Sequence, residues 1–476
     1  MEQLQEFFTR EAPRMTALAD QIWSLAELRY AETASARLHM DALAASGFRI
    51  TRDVAGIPTA FMAEWGDTGP DAGPVIAFLG EYDALSGLNQ QSGTLMYTPS
   101  MDSPSLTNHG YGHHLLGTSA HFAAIALQAH LQASGQRARI RYYGCPAEEG
   151  GSGKTFMARA GVFDDVDVAL TWHPGSFTSV FSQTTLANIQ AKFIFHGKAS
   201  HAAHSPHLGR SALDAVELMN VGVNYLREHM PSDARVHYAV TDSGGLSPNV
   251  VQARAEVLYL IRAARNHEAA ELYERVQNVA RGAALMTDCK VDIVFDKACS
   301  NLLQNRTLNQ VLYAKLLAEG ALTVGTGEQG KAGHFQATLS KNDLDAVSRP
   351  LASVLRGQVP AVFEGVAPYD PAVNELLFGS TDVADVSWIT PTVQAWVACY
   401  AFGTPMHSWQ MVSQGQSGLA HAGMVRAARV LTATAIELVQ RPELIAQAKA
   451  ELLERRQGKP YECPIPADVP LPFLRT

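Results

Sequence analysis

VIAFLGEYD, residues 75–83, joins a short apolar run to two carboxylates, and this arrangement is the strongest indication of the fold. Two later stretches repeat it: ARIRYYGCPAEE at 138–149 and VDVALTWH at 166–173. Between the first two, residues 115–131 have apolar side chains at helical spacing. Strands that alternate with helices predict an α/β domain with a largely parallel sheet, covered on both faces.

Each of these three predicted strands is followed by polar side chains that packing alone does not explain. In open α/β sheets, ligands bind beyond the carboxyl ends of the strands. We therefore expect a functional site that includes Asp83, Glu148, Glu149 and His173.

The middle of the chain has a different pattern. Four strands are predicted here, near 187–196, 235–242, 253–263 and 290–296. One helix is predicted after the first strand, at 209–229, and another after the third, at 267–286. The order β-α-β-β-α-β is that of a ferredoxin-like α+β domain. The last hundred residues return to apolar helical patterning. We therefore expect a catalytic domain of residues 1–187 and 299–476, with a small domain of residues 188–298 inserted into it. Residues 325–375 give no clear pattern.

Composition excludes several classes of protein. The chain has 476 residues, 47% apolar and 17% charged, which is typical of a globular protein of two or three domains. A net charge of −9 argues against a general nucleic-acid binder. Five sparsely spaced cysteines do not indicate a disulfide framework. With no apolar run long enough for a membrane span and no visible secretory signal, we expect a cytoplasmic protein.

Four stretches carry histidines or paired carboxylates suited to a metal. They are NHGYGHH at 108–114, CPAEEGG at 145–151, TWHP at 171–174 and TPMHS at 404–408. Each alone also suits a polar loop or a solvated turn. Together they make a His/carboxylate set suited to zinc or manganese. In the paired carboxylates, one group can bind the metal while its neighbour takes a proton from water.

Other candidates compete with this interpretation. Gly153-Lys154-Thr155 resembles the end of a phosphate loop, but Glu148 occupies the position where that motif needs glycine. Cys145 is a possible nucleophile if a histidine lies within reach. In the small domain, Arg262 suits bidentate binding of a carboxylate, or else a surface position at a strand end.

As a set, the motifs resemble the dinuclear-metal aminoacylase and carboxypeptidase family. The likeness is greatest to the branch that contains the B component of aminobenzoyl-glutamate hydrolase and the indole-acetyl-amino-acid amidohydrolases. The matching stretches follow the family order over most of the chain: GEYDAL (80–85), GYGHHLLG (110–117), PAEEGGSGK (146–154), TWHPG (171–175), KASHAAHSPHLGRSALDA (198–215), SPNVVQARAEVLYLIRA (247–263), STDVADVSW (380–388) and GTPMHSWQ (403–410).

The resemblance implies a role for each matching residue. Glu148 is implied as the general base, Asp83 as the carboxylate that orients the site, and His201 as a residue that the small domain lends to the partner subunit. The small domain is implied to be a dimerisation and lid domain, and the protein a homodimer. The implied metal ligands are His113, Glu149, His173 and His407, and the implied substrate-binding residues are Asn249 and Arg262.

The sequence departs from the branch at Tyr111, where a cysteine ligand is usual. A phenol with a pKa near 10 is a poorer metal ligand than a thiolate. We therefore expect the second metal position to be weakened or lost, unless His109 or His114 supplies the missing ligand. Ser86 and Gln252 also stand where proline is usual. The expected function is metal-dependent hydrolysis of N-acyl or N-aroyl amino acids, or of dipeptide-like amides, with one or two ions. The alternative is a catalytically weak binding protein of the same fold.

Overall fold

The computed structural model describes residues 2–69, 71–100 and 106–474. Contacts divide the chain into two compact units. Unit 1 comprises Met1–Gln183, Leu303–Glu375 and Val386–Tyr461. Unit 2 comprises Thr184–Leu302, Leu376–Asp385 and Glu462–Thr476.

The strands of the described residues fall into two main sheets and two short pairs. In chain order they are β1 Arg49–Arg52, β2 Phe61–Trp65, β3 Val75–Gly80, β4 Leu85–Ser86, β5 Thr107–Asn108, β6 Arg139–Gly144, β7 Val168–Gly175, β8 Ser179–Val180, β9 Thr184–Thr185, β10 Ala187–His196, β11 Arg235–Asp242, β12 Arg254–Ala263, β13 Lys290–Cys299, β14 Leu376–Leu377 and β15 Thr392–Ala398.

The α-helices of the described residues range from one turn to six turns. In chain order they are α1 Glu2–Leu25, α2 Thr33–Ala45, α3 His113–Ser134, α4 Glu148–Gly151, α5 Gly153–Arg159, α6 Ala212–Leu226, α7 Asn266–Thr287, α8 Arg306–Glu319, α9 Thr326–Gln336, α10 Lys341–Ser348, α11 Ala352–Leu355, α12 Val383–Ile389, α13 Trp409–Gln414, α14 Gly418–Gln440 and α15 Pro442–Arg455.

Unit 1 is built on a sheet with the strand order β1-β2-β6-β3-β7-β15-β8. The central strands β6, β3, β7 and β15 run parallel, while β1, β2 and β8 add antiparallel edges. The strands β3, β7 and β15 are buried along their whole length, as expected where helices cover both faces of a parallel sheet. The largely parallel sheet predicted from the sequence is therefore confirmed.

Helix α3 connects the sheet to the loop that carries the histidines. It packs on β3, β6 and β7 and against α14, and most of its side chains are buried. Gly112 precedes it with a left-handed φ of 77°. A side chain there would meet Tyr400 and Pro174 at 2.3 and 2.6 Å, and one at Gly117 would meet the carbonyl of Glu81 at 2.4 Å. The small residues thus bring the first turn of α3 close to the end of β3.

Unit 2 contains a four-stranded antiparallel sheet with the order β11-β12-β10-β13. Helices α6 and α7 pack on one face of it. Along β12 every second residue, from Ala255 to Ala263, is buried beneath these helices. This is the β-α-β-β-α-β arrangement that the alternating pattern predicts, because one face of the sheet is covered and the other is not.

Three features of the structure were not predicted from the sequence patterns. Residues 325–375, which gave no pattern, contain α9, α10 and α11. His173 lies inside β7 instead of at its end, two residues before the strand stops. Leu376–Leu377, which the sequence placed with the catalytic domain, pairs in parallel with Thr184–Thr185 and belongs to unit 2. Such pairing between distant segments has no local signature.

Two further observations concern the cysteines and the helices. None of the five cysteines, all of which lie in the described part of the chain, forms a disulfide. Of the helices that the structure describes, none combines the length and the apolar character that a membrane span needs.

Candidate active site

Three neighbouring parallel strands place the candidate site residues at one edge of the sheet in unit 1. The strand β3 ends at Gly80 and is followed by Glu81 and Asp83, which are both buried. The strand β6 leads to Glu148 and Glu149, and β7 carries His173 near its carboxyl end. Since β6, β3 and β7 are adjacent, these side chains converge where ligands bind in this architecture.

Asp83 connects two of the predicted ligands. Its Oδ1 accepts a hydrogen bond from Nδ1 of His113 at 2.8 Å. Its Oδ2 accepts one from the backbone N–H of Glu149, also at 2.8 Å. With Nδ1 used in this way, Nε2 of His113 is the ring atom that faces the site, as is typical of a metal-ligating histidine held by a carboxylate.

His173 is held in the same manner by the backbone. Its Nδ1 donates to the carbonyl of Pro174 at 3.0 Å, which leaves Nε2 as the acceptor. Among the described residues, Nε2 of His113, Nε2 of His173 and Oε1 of Glu149 are buried and have no hydrogen-bond partner. Buried polar atoms nearly always make a hydrogen bond, so three neighbouring atoms without one fit a set of ligands for a cation.

His407 reaches the same place from the C-terminal part of the chain. Its backbone N–H donates to the carbonyl of Gly110 at 2.9 Å, and its φ of 55° lies in the left-handed region. Its Nε2 lies 3.2 Å from Oε1 of Glu149. Two ligand atoms on one tetrahedral zinc ion lie about 3.3 Å apart, because each is about 2.0 Å from the ion. The separation of these two atoms therefore fits a shared ion.

Glu81 is a candidate ligand that the sequence patterns did not single out. Its Oε2 lies 3.2 Å from Nε2 of His113, and its Oε1 lies 2.6 Å from Nζ of the fully buried Lys154. Glu81, His113 and His173 form one group whose ligand atoms lie within 4.8 Å of one another, and His113, Glu148 and Glu149 form another. Glu81 follows the same apolar strand as Asp83, so the sequence held the necessary indication.

Several carboxylates give the site a negative electrostatic potential. Burial by itself lowers the pKa of His113, but the carboxylates of Asp83 and Glu81 outweigh burial and raise it to about 10. Burial, aided by the charge of His113, lowers the pKa of His173 to about 3, so its imidazole is neutral. A divalent cation would neutralise this field in place of the proton on His113, and the donor set of imidazole and carboxylate groups suits zinc or manganese.

Tyr111 lies among the three candidate ligand histidines. Its ring centroid is 3.9 Å from that of His173, 5.0 Å from that of His407 and 5.8 Å from that of His113. Burial, followed by the charges of Glu148 and Glu149, raises the pKa of its phenol well above the usual range. In the metal-free protein the phenol is therefore neutral, and it lies beside the histidines.

The two neighbouring histidines have other partners. Nε2 of His109 donates to the carbonyl of Ile22 at 3.1 Å, and Nε2 of His114 donates to that of Gly415 at 2.9 Å. Burial lowers the pKa of His109 to about 4 and that of His114 well below its usual range. Within the described part of the chain, neither belongs to a group of candidate ligands.

Cys145, the alternative nucleophile, is fully buried, and its Sγ lies 3.4 Å from the carbonyl of Tyr143. A buried thiol with this contact is poorly placed to attack a substrate.

The remaining predicted site residues belong to unit 2. His201 is exposed, and its Nδ1 accepts hydrogen bonds from the backbone N–H groups of Ala203 and His204 at 3.2 and 3.1 Å. The ring proton is therefore on Nε2, which is a donor. The carbonyl of Asn249 accepts from the N–H of Ala202 at 2.9 Å, so Asn249 lies beside His201. Nη1 of Arg262 donates to Oγ of Ser380 at 2.9 Å.

Comparison with known proteins relates this geometry to a family. Residues 186–286 match the M20 peptidase dimerisation domain. The chain is 50% identical to the B component of p-aminobenzoyl-glutamate hydrolase of Escherichia coli, over 96% of this chain and 95% of the relative. It is 29% identical to the Xaa-Arg dipeptidase of Mus musculus, over 92% of this chain and 89% of that protein.

Solved structures show a similar fold. An aminobenzoyl-glutamate utilization protein from Klebsiella pneumoniae matches with a TM-score of 0.58 at 20% identity, covering 89% of this chain and 98% of that one. A dinuclear metal-binding M20 peptidase from Bacillus subtilis matches with a TM-score of 0.54 at 17% identity, covering 92% and 99%. Together with the 50% identity over nearly the whole of both chains, these matches establish that the chain belongs to the M20 peptidase family, in the branch that contains the B component of p-aminobenzoyl-glutamate hydrolase.

Proposed function

We propose that the protein is a metal-dependent amidohydrolase that cleaves the amide bond of N-acyl or N-aroyl amino acids. The observation that carries the proposal is a set of buried atoms on His113, His173 and Glu149 that make no hydrogen bond, next to a second carboxylate, Glu148. The similarity to a component of p-aminobenzoyl-glutamate hydrolase supports aroyl amino acids as the substrate class, and the similarity to a dipeptidase supports dipeptide-like amides.

The residues present fit a divalent ion. His113, Glu149, His173 and His407 are proposed to hold zinc or manganese, and Glu81 is a further carboxylate in contact with this set. When bound, the ion would lower the pKa of water and polarise the scissile carbonyl. Asp83 orients His113 through Nδ1 and Glu149 through its backbone N–H, and thereby keeps both ligands in place.

Glu148 is the proposed general base. Its Oε2 lies 3.9 Å from Nε2 of His113, so its carboxylate borders the ligand set. This carboxylate takes the proton of the attacking water and passes it to the nitrogen of the leaving amine. His201 presents Nε2–H as a donor for the oxyanion, and preorganised donors of this kind are often the largest contribution to acyl transfer.

Substrate binding is assigned to unit 2. Arg262 is proposed to bind the carboxylate of the amino acid through its guanidinium, and Asn249, beside His201, to hydrogen-bond the substrate. The match of residues 186–286 to a dimerisation domain supports a homodimer in which His201 completes the site of the partner molecule. Cysteines without disulfides in the described part of the chain are consistent with a reducing compartment, and we propose that the protein is cytoplasmic.

The second metal position is proposed to be weak. A neutral phenol stands where the branch usually has a thiolate, and its raised pKa opposes phenolate formation. One ion together with Glu148 then supports hydrolysis, and Tyr111 is proposed to donate a hydrogen bond to the substrate. The alternative, a binding protein with a degenerate metal site, predicts neither stoichiometric metal nor turnover.

The test combines elemental analysis with a screen of N-acyl and N-aroyl amino acids. Glu148→Gln is expected to keep its metal and to lose about 100- to 10,000-fold in kcat, because the amide keeps the shape but accepts no proton. His173→Ala should lose metal as well as activity. Retention of most of kcat by Glu148→Gln would remove the base assignment, and inhibition by alkylating agents but not by chelators would favour Cys145.

A further inference from the structure

Arg262 lies directly opposite a second arginine. Strand β11 pairs with β12 so that Arg235 is the cross-strand partner of Arg262. Such partners lie on the same face of the sheet with Cβ atoms about 5 Å apart, and like charges in this position destabilise the sheet. Arg262 lies on the face of the sheet opposite α6 and α7, since its neighbours Ile261 and Ala263 are the residues buried beneath those helices.

The segment 376–385 contacts the guanidinium groups of both arginines. Phe378 lies under Arg235, with the guanidinium carbon 4.7 Å from the ring centroid. Ser380, two residues further on, accepts a hydrogen bond from Arg262 at 2.9 Å. Burial lowers the pKa of His237, and the charges of Arg262, Arg227 and Arg235 lower it further, so both arginines of the pair act on this region together with Arg227.

Within the described residues, neither arginine has a carboxylate partner. Nη1 of Arg235 donates only to the carbonyls of Ser232 and Ala234, both at 2.7 Å. Nε of Arg262 is buried and makes no hydrogen bond. On the same strand as Arg262, Arg254 is paired with Asp242 and Glu256. The sheet therefore neutralises one arginine with its own acids and leaves the other two without a counterion.

We propose that Arg235 determines specificity by binding a second carboxylate on the substrate, next to the one that Arg262 binds. This inference rests on the proposed function, in which Arg262 takes the main-chain carboxylate of the leaving amino acid. Two adjacent guanidinium groups suit a dianion, since each presents a fork of N–H donors that matches a carboxylate. The preferred leaving group is then an acidic amino acid.

The test uses a matched pair of substrates, N-aroyl-glutamate and N-aroyl-glutamine, which differ in charge but hardly in shape. The wild-type enzyme should prefer glutamate in kcat/KM. In Arg235→Gln, the ratio of kcat/KM for glutamate to that for glutamine should fall about 10- to 100-fold, mainly through KM, because a charge-assisted hydrogen bond is lost. Arg235→Lys should restore part of the ratio.

The control is Arg254→Gln, on the same sheet but already paired, which should leave the ratio as in the wild type. Calorimetric binding of glutarate, compared with its monoamide, gives a second measurement that needs no turnover. If neither substrate is cleaved but glutarate binding depends on Arg235, the proposed reaction fails and the subsite stands. A substrate ratio and a glutarate affinity that do not change in folded Arg235→Gln would overturn the subsite.

Discussion

Replacing Lys154 by methionine tests whether the candidate metal site depends on a buried ion pair. Nζ of Lys154 lies 2.6 Å from Oε1 of Glu81, and both side chains are almost completely buried. At that distance and an effective dielectric constant of about 20, the Coulomb attraction is about 6 kcal/mol, and desolvation offsets much of it. Removing one partner of a buried pair typically costs about 3–5 kcal/mol, because the other charge loses its counterion. Protonated His113, 3.2 Å from Oε2 of Glu81, compensates part of that charge, so we expect Lys154→Met to lower the free energy of unfolding by about 3 kcal/mol, the lower end of this range.

The measurement is chemical denaturation of the metal-free protein, with Lys315→Met as the matched control. Nζ of Lys315 lies 2.9 Å from Oε2 of Glu437, but both side chains are about a quarter exposed. Exposed pairs contribute about 0–1 kcal/mol, so the control should change little. The double variant Glu81→Gln/Lys154→Met removes both charges, and it should be more stable than Lys154→Met alone.

A bound metal ion should reduce the loss of stability that Lys154→Met causes. In Lys154→Met, Glu81 keeps a negative charge 3.2 Å from Nε2 of His113, and a bound cation compensates it. Adding zinc or manganese should therefore stabilise Lys154→Met more than it stabilises the wild-type protein. The reasoning is refuted if Lys154→Met costs no more than Lys315→Met, or if the double variant is less stable than the single one.

Three further predictions concern the ligand replacement, the assembly and acid stability. Tyr111→Cys should bind a second equivalent of metal by elemental analysis, whereas Tyr111→Phe should not; two tightly bound ions in the unmodified protein would contradict this. Mixed dimers of His201→Ala and Glu148→Gln chains should regain activity, and verified mixed dimers without activity would argue against shared sites. Nδ1 of His39 lies 3.1 Å from Nδ1 of His121, and burial lowers the pKa of His39 to about 3. In the unfolded chain, histidine binds a proton below about pH 6.5, whereas buried His39 does not. His39 should therefore lower the free energy of unfolding by about 1.4 kcal/mol for each unit by which the pH falls between 6.5 and 3. In His39→Gln, denaturation at pH 7, 6 and 5 should show a smaller loss of stability with falling pH.

The general architecture followed from local patterns. Apolar runs such as residues 75–79 predicted buried strands, and the alternation in residues 187–196 predicted a strand with one covered face. Both expectations hold because the side-chain period of a strand is set by its own backbone. The whole β-α-β-β-α-β order of the small domain was visible in the same way.

Residues 325–375 gave no pattern because their helices contain few buried side chains. Only Ala332 and Phe335 are buried in α9, and none in α10 or α11. Without an apolar stripe, helical periodicity cannot be seen in the sequence. The capping box of Ser340 and Asp343 is the local feature that marks the start of α10.

The sequence by itself determined the types of residue available for catalysis: the Glu148-Glu149 pair, the histidines and the carboxylate of Asp83. These are local features of composition and order along the chain. Only the tertiary structure decided which atoms meet. It turned Nε2 of His113 towards Glu81, and it set Arg235 opposite Arg262. Such contacts join segments tens of residues apart, and they arise from strand order, strand register and close helix packing, which no local pattern specifies.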